Sequence, residues 1–146
     1  MVKTVTLKAL TPSPQLNEYE GEVVVEVDGR ELTCYAVLSS AAEWHQHPAG
    51  ERVPADLWLE RDRTWEKVEP NAEPYLRQIG GVHYEMVGTV LEIGPEMLLV
   101  HAGFPLSVHL VTRSVAPDLA IGDKVHVDGS MMIELNPLSD DDGRAQ

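Results

Sequence analysis

Alternation of apolar and polar residues with a period of two is the feature that most constrains the fold of this chain. In the segment PLSVHLVTR, Leu106, Val108 and Leu110 would lie on one face of an extended strand, with His109 on the other. The segment GDKVHVDG alternates in the same way. We therefore expect half-buried strands, and in the C-terminal part the predicted core residues are Val108, Leu110, Val125, Val127 and Ile133.

Turn signals between the alternating segments support an all-β fold. In EVVVEVDGRELTCYAVLS, Asp28-Gly29 can supply the positive φ angles that a two-residue hairpin turn requires. The segment EIGPEMLLV contains a similar turn signal at Gly94-Pro95. Further strands are predicted in TVTLKAL, ADLWLER, YEMVGTVLEI and SMMIEL.

At most one short helix is predicted, between two groups of strands. Asn71 can cap the segment AEPYLRQI, Pro74 falls in its first turn and Gly80-Gly81 can end it. We expect either one compact domain or separate parts, with an OB-like barrel in the C-terminal half and a related β-unit before it. The predicted parts are an N-terminal β-unit at 1–70, a helical connector at 71–83, the barrel at 84–136 and a disordered acidic tail at 137–146.

A weak internal repeat relates the two β-units. The segments GERV, from Gly50, and GDKV, from Gly122, share the order glycine, acid, cation, valine. Each follows a pattern of alternating strands, which begins at Gly21 in the first unit and at Gly88 in the second. The pattern indicates two related units, or only the common way in which a chain turns into a strand.

The length and composition fit one ordinary domain. The chain has 146 residues, of which 43% are hydrophobic, enough to bury a core. The first residues alternate instead of forming a signal peptide, and no apolar run reaches the roughly 18 residues of a membrane span. We expect a cytoplasmic protein, with no membrane partner. The single cysteine, Cys34, lies in an apolar alternation and is expected to be a buried hydrophobic residue.

The charge of the chain argues against several classes of partner. Its 11 Lys and Arg residues against 24 Asp and Glu residues give a net charge of −13. Such a chain repels phosphate backbones and acidic membrane surfaces, whereas a basic protein would be attracted. The alternative is that this charge only keeps the protein soluble.

Acidic residues are concentrated in one predicted strand. The segment 18–31 holds six acidic residues and one arginine, and Glu18, Glu20, Glu22 and Glu26 share strand parity. They would form an acidic ribbon, and a tryptophan nearby could serve as an apolar anchor. The predicted partner-binding residues are Glu20, Glu22, Glu26, Trp44, Trp58 and Trp65.

Residues 84–135 resemble the closing strands of an OB-fold barrel. Gly88 stands where that fold has a glycine at a bend of its long first strand, and GDKVHVDG, from Gly122, resembles the entry to a late strand. The resemblance implies a barrel and, as an alternative function, binding of single-stranded nucleic acid. Arg113 and Lys124 are the only cations in this range, which argues against that function.

The segment WHQHPAGERV raises the possibility of a metal site. His45-Gln46-His47, followed by Glu51, is similar to the HxHxxxE core of the first cupin motif. On a strand, both imidazoles would lie on one face. The resemblance implies a divalent metal ion held by His45, His47, Glu51 and His126, and a metal-dependent enzyme. The other interpretation is an exposed loop that carries histidines.

No motif for another chemistry is present. The sequence contains no nucleophile elbow, no phosphate-binding glycine loop and no CxxC pair, so no catalytic residue is assigned. We therefore expect a non-catalytic binding module, or an inhibitory or immunity-type protein, that acts on a protein with a basic surface. The alternatives are the cupin-like enzyme and the OB-type nucleic-acid binder. No cofactor is expected unless the divalent metal ion is bound.

Overall fold

A computed structural model describes residues 2–13, 15, 17–61, 65–109 and 119–137. Ten strands and one short 3-10 helix, at Ala41–His45, lie in these ranges. The strands are β1 (Val2–Pro12), β2 (Glu20–Val27), β3 (Arg30–Val37), β4 (Arg52–Arg61), β5 (Glu66–Lys67), β6 (Tyr75–Gly80), β7 (His83–Ile93), β8 (Met97–His101), β9 (Pro105–His109) and β10 (Lys124–Leu135). Within the described residues, no helix is long and apolar enough to cross a membrane.

Eight of the strands close into a mixed β-barrel, which confirms the predicted all-β fold. One antiparallel meander consists of β1, β2 and β3, and a second consists of β7, β8 and β9. The long strands β4 and β10 pair with each other and join the meanders. β4 pairs with β1 and β9, and β10 pairs with β7 and β3, so the barrel is closed. β5 and β6 extend it beside β10 and β7.

The period-two alternation of the sequence places one face of every long strand in a single core. Val108, Val125, Val127 and Ile133 are all buried, as predicted. Leu110 lies outside the described residues. Cys34 is also fully buried in this core, as its apolar neighbours indicated. From Lys124 onwards, the predicted segments GDKVHVDG and SMMIEL form one continuous strand, β10, of 12 residues.

The turn between β2 and β3 has the conformation that its sequence predicts. Val27 pairs with Arg30, which leaves two residues to reverse the chain. Asp28 and Gly29 have φ angles of 51° and 77°. Both central residues of a type I′ turn need positive φ, and aspartate and glycine tolerate it best. The turn therefore fixes the register of the hairpin that carries the acidic strand β2.

The helix predicted within residues 71–83 is wrong. Tyr75–Gly80 forms strand β6, which pairs with β7 from Tyr75↔Val87 to Gly80↔His83. Gly81, with a φ of 55°, serves the tight turn into β7 and does not end a helix. The capping signal at Asn71 is worth only about 1 kcal/mol. The backbone hydrogen bonds between β6 and β7 outweigh it. The predicted acidic tail lies outside the described residues, except for Pro137.

The two halves of the barrel repeat one arrangement of four strands. β1 to β4 correspond to β7 to β10, because the first strand of each half pairs antiparallel with the fourth strand of its own half. The third strand of each half pairs in parallel with the fourth strand of the other half. Each first strand also contains a register shift, after Leu7 in β1 and after Val90 in β7.

Backbone hydrogen bonds at these two shifts match as well. The amide of Leu7 donates to the carbonyl of Glu51 at 2.8 Å, and the amide of Val90 donates to that of Asp123 at 2.9 Å. The carbonyls of Leu7 and Val90 accept from the glycines that precede β4 and β10, which are Gly50 and Gly122. These glycines have φ angles of 92° and 96°. The GERV and GDKV segments therefore occupy equivalent places, while the division into domains stays a prediction.

Candidate protein-binding face

The outward face of β2 carries the three predicted glutamates. Glu20, Glu22 and Glu26 alternate with buried residues, so their carboxylates point away from the core. Glu22 and Glu26 are exposed and Glu20 is half-buried. Glu26 forms a 3.4 Å ion pair with Lys8, and both side chains are about half exposed, so the pair adds little stability. We call Glu20, Glu22 and Glu26 the acidic ribbon; Glu18 precedes the strand in a turn.

Trp44, a predicted partner-binding residue, is buried and exposes almost none of its ring. Its side chain is only 4% exposed, and the indole N–H donates to the carbonyl of Glu18 at 3.1 Å. The 3-10 helix lays the ring against β2 at Gly21, where a Cβ atom would lie 2.6 Å from Trp44 Cη2. Gly21 shares the inward face of β2 with Val23 and Val25 but has no side chain to fill its share of the core. A glycine on the apolar face of a strand is therefore the signal in the sequence that a large side chain from elsewhere packs there.

The other two predicted tryptophans are half-buried. Trp65 packs against the core from the segment before β5. Trp58 lies on the outward face of β4, where its ring stacks on that of His109, with 5.3 Å between ring centroids and 18° between planes. Partial burial lowers the pKa of His109, which favours the neutral imidazole in this stack. Trp58 is therefore the predicted anchor best placed to contact a partner.

Trp58 belongs to a row of large side chains across three neighbouring strands. Tyr35 in β3 is the register partner of Met132 in β10, which in turn is the partner of Trp58 in β4. All three side chains face outward and are half-buried. We call them the aromatic row. Tyr35 and Met132 could not be recognised from the sequence, because they meet only through the non-local parallel pairing of β3 with β10.

A pocket of about 140 Å³ lies in this surface. It is lined by Tyr35, Val37, Trp58, Met132, Ile133 and Glu134. Val37 is 57% exposed, which leaves apolar surface open beside the two aromatic rings. Glu134 provides the only charge among these six described residues. The pocket is thus an apolar depression with one carboxylate.

Further carboxylates surround the pocket. Glu22 of the acidic ribbon is the register partner of Tyr35, and Asp56 is the partner of Glu134. Glu60 follows Trp58 on the outward face of β4. A larger pocket of about 350 Å³ adjoins the first, since the two share Val37 and Glu134. Its other lining residues are Leu38, Ser39, Glu43, Leu135 and Asn136.

The histidines of the opening motif do not lie on a strand. His45 ends the 3-10 helix and is exposed, whereas His47 is nearly buried between two glutamates. The Nδ1 atom of His47 lies 2.9 Å from Glu51, and Nε2 lies 3.1 Å from Glu43. The hydrogen bond to Glu51, followed by that to Glu43, raises the pKa of His47 against the opposite effect of burial. This arrangement fits an imidazolium that donates two hydrogen bonds.

The predicted metal ligands are not brought together. His126 Nε2 lies 3.1 Å from Glu85 of β7, away from the pair formed by His47 and Glu51. Within the described residues, no group of three or more His, Cys, Asp or Glu side chains is arranged to hold a metal ion. The strand geometry on which the cupin resemblance depended is wrong, because proline follows His47 and the segment coils into a 3-10 helix. The metal site stays a prediction without geometric support.

Cys34 is placed for packing and not for chemistry. It faces the core from β3, and burial raises the pKa of its thiol. A thiol held protonated in an apolar core is a poor nucleophile.

A search of known protein families, of curated proteins and of solved structures found nothing that matches this chain.

Proposed function

We propose that this chain is a non-catalytic module that binds a protein with a basic surface, as an inhibitory or immunity-type protein does. The observation that carries the proposal is the continuity of the acidic ribbon with the aromatic row through the register pair of Glu22 and Tyr35. One contact face then offers both negative charge and a half-exposed apolar centre.

The charge of this face suits a cationic partner. Glu22 and Glu26 are exposed on one strand, and repulsion between carboxylates on one face is relieved when a positive surface docks. Charges at the rim of an interface mainly set the rate of encounter and the choice of partner. The acidic ribbon therefore provides steering, while affinity needs a desolvated apolar contact.

The aromatic row can provide that contact. Interface hot spots are enriched in tryptophan, tyrosine and arginine, and they lie in well-packed positions near the centre of the contact. Trp58 and Tyr35 are half-buried on barrel strands on either side of Met132, and the Trp58 ring is already stacked on that of His109. Less side-chain entropy is lost when a partner covers a ring that is already held by a neighbour.

The OB-type alternative agrees less well with this surface. Exposed aromatic side chains can stack with bases, but binding of single strands also requires a positive groove along the backbone. Here the carboxylates of Glu22, Asp56, Glu60 and Glu134 surround the aromatic side chains. Phosphates would be repelled from this face. The resemblance of residues 84–135 to an OB-fold therefore bears on the barrel architecture, and binding of single-stranded nucleic acid stays the second alternative.

Affinity capture with charge-reversed variants tests the proposed function. Immobilised wild-type chain is expected to retain a basic protein from native cell extract, and mass spectrometry identifies it. The purified protein is then titrated against the wild-type chain and against a Glu22→Lys, Glu26→Lys variant. We expect the dissociation constant to rise at least about tenfold in the variant, because an attractive surface has become repulsive.

A matched control separates the ribbon from net charge. The exposed residues Glu69 and Glu73 lie between β5 and β6, outside the acidic ribbon, and their double reversal to lysine changes the net charge by the same amount. The control is expected to bind within about threefold of the wild type. Equal weakening by both variants, or by neither, would contradict the assignment of this face.

A further inference from the structure

By itself, the pocket of the aromatic row is smaller than the sites of drug-sized molecules, although a larger pocket adjoins it, and it is suited to one long side chain. Its volume of about 140 Å³ compares with the roughly 300–1,000 Å³ of pockets that enclose drug-sized molecules. Register partners on neighbouring strands are about 5 Å apart, so Tyr35 and Trp58 stand roughly 10 Å apart on either side of Met132. A flat or slender group fits between two such side chains.

The chemistry of the pocket selects a cation with an apolar stem. Aromatic faces attract cations, and a methionine between them offers a polarisable surface. Glu134 adds a carboxylate beside the two rings, while Asp56 and Glu22 extend the negative charge on either side. An anionic group would be repelled here, and an uncharged apolar group would gain nothing from the exposed carboxylate of Glu134.

On the basis of the proposed function, we propose that this pocket receives one arginine side chain of the partner protein. The guanidinium lies against the rings of Tyr35 and Trp58 and donates to the carboxylate of Glu134. The methylene stem covers Met132 and Val37. The acidic ribbon, through Glu22, contacts the basic surface around that arginine.

Arginine fits better than lysine for two physical reasons. Its planar guanidinium stacks on aromatic rings and donates two parallel hydrogen bonds to one carboxylate. It is also more weakly hydrated than an ammonium group, so entry into a half-buried pocket costs less. One surface of the Trp58 ring is already covered by His109, which holds the indole in place for stacking on its remaining surface.

Indole resonances give a direct test with a small probe. The chain has three tryptophans, so ¹H–¹⁵N spectra contain three indole signals, which single Trp→Phe variants assign. The probe is the blocked peptide Gly-Gly-Arg-Gly-Gly at millimolar concentration. We expect it to shift the Trp58 signal in a saturable way and to leave that of Trp44 unchanged, because Trp44 is buried. The same peptide with citrulline, which is uncharged, is expected to cause no shift.

Variants identify the groups that hold the arginine. Trp58→Leu keeps an apolar side chain but removes the ring, and Glu134→Gln removes the charge but keeps the shape. Each is expected to raise the dissociation constant of the peptide at least about threefold, with Tyr35 backbone amide signals as the reporter in the Trp58 variant. Glu31→Gln, an exposed glutamate at the other end of β3, is the control and is expected to have no effect. Circular dichroism and melting temperature confirm that each variant folds.

The outcomes separate this inference from the proposed function. No shift with the arginine peptide, or an equal shift with the citrulline peptide, would overturn the pocket assignment. An equal response to a lysine peptide would overturn the choice of arginine. Binding of the basic partner that is lost on reversal of Glu22 and Glu26, but unchanged by Trp58→Leu, would leave the proposed function standing and refute the arginine pocket alone.

Discussion

At the scale of single residues, two glycines allow the close packing of this barrel. Gly88 pairs with Val125, and a Cβ atom there would lie 2.6 Å from the carbonyl oxygen of His101 and from a methyl group of Val100. Gly21 makes room for the ring of Trp44 in the same way. Gly88 was predicted correctly as a special position in a long strand. Trp44 was predicted at the surface, because the sequence does not show which side chain fills the space that a glycine leaves.

Replacement of Gly88 by alanine is expected to destabilise the fold. The backbone of β8 must move to accept the methyl group, and we expect a loss of about 1–3 kcal/mol in the free energy of unfolding. Urea denaturation measures it. Gly80→Ala is the matched control, since a Cβ atom at Gly80 meets nothing within 4 Å. Equal stabilities of the two variants would mean that β7 and β8 are less closely packed than described.

Truncation of the core residue Ile133 tests the face assignment of β10. Its side chain is 3% exposed in the barrel core, and Ile133→Ala is expected to cost about 2–4 kcal/mol through lost burial and the cavity that remains. Val2→Ala, at a position that is 57% exposed, serves as the control and should change stability by less than about 0.5 kcal/mol. Thermal or urea denaturation that shows no difference between them would contradict the register of β10.

At the scale of elements, alternation and turn residues predicted most strands. They did not predict the elements whose conformation depends on contacts with segments distant in the sequence. The hairpin of β2 and β3 follows from alternation and from Asp28-Gly29, which act within a few residues. Strand β6 was predicted as a helix, because its pairing with β7 outweighs the weak capping signal. For the segment of His45, the cupin resemblance implied a strand and the other interpretation was an exposed loop. The chain instead forms a 3-10 helix there, which places Trp44 in the core.

The contacts of His47 predict a pH-dependent stability of the segment between β3 and β4. The pKa of His47 is raised in the folded state, so protonated His47 adds to the free energy of unfolding. This contribution to stability is fully present below the ordinary histidine pKa of about 6.5 and is lost as pH rises through the raised pKa. Burial acts to raise the pKa of Glu43, but hydrogen bonds from Ser39 and His47 outweigh this effect and lower it. The contribution of Glu43 is therefore lost as pH falls through its lowered pKa.

Comparison of His47→Gln with the wild type measures this effect. The difference in free energy of unfolding is expected to be largest near pH 6 and to shrink as pH is raised towards about 9. His45→Gln is the matched control, since that side chain is exposed in the same segment. Denaturation at several pH values provides the data. A difference between wild type and His47→Gln that is constant from pH 6 to 9 would contradict the pair of hydrogen bonds to Glu43 and Glu51.

At the scale of the whole molecule, two repeated halves of four strands build one barrel. The internal repeat of GERV and GDKV indicated two related units. Only the strand pairings of the structure show that β4 and β10 each pair with strands of both halves. Period-two parity placed Glu20, Glu22 and Glu26 correctly on the outward face of β2, whereas Glu18 lies in the turn before the strand. The aromatic row could not be predicted, because Tyr35, Trp58 and Met132 are far apart in the chain and meet through the exchange of strands between halves.

The rate of association across a salt series tests whether the acidic ribbon attracts a basic partner. Stopped-flow measurements would compare the wild type, the Glu22→Lys, Glu26→Lys variant and the Glu69→Lys, Glu73→Lys control, each with the purified basic partner. At low salt we expect the association rate constant of the ribbon variant to fall at least about tenfold below that of the wild type, with melting temperature unchanged. The wild-type rate should drop steeply with salt, because the Debye length is roughly 10 Å at 0.1 M. An unchanged rate constant in the ribbon variant would contradict the account.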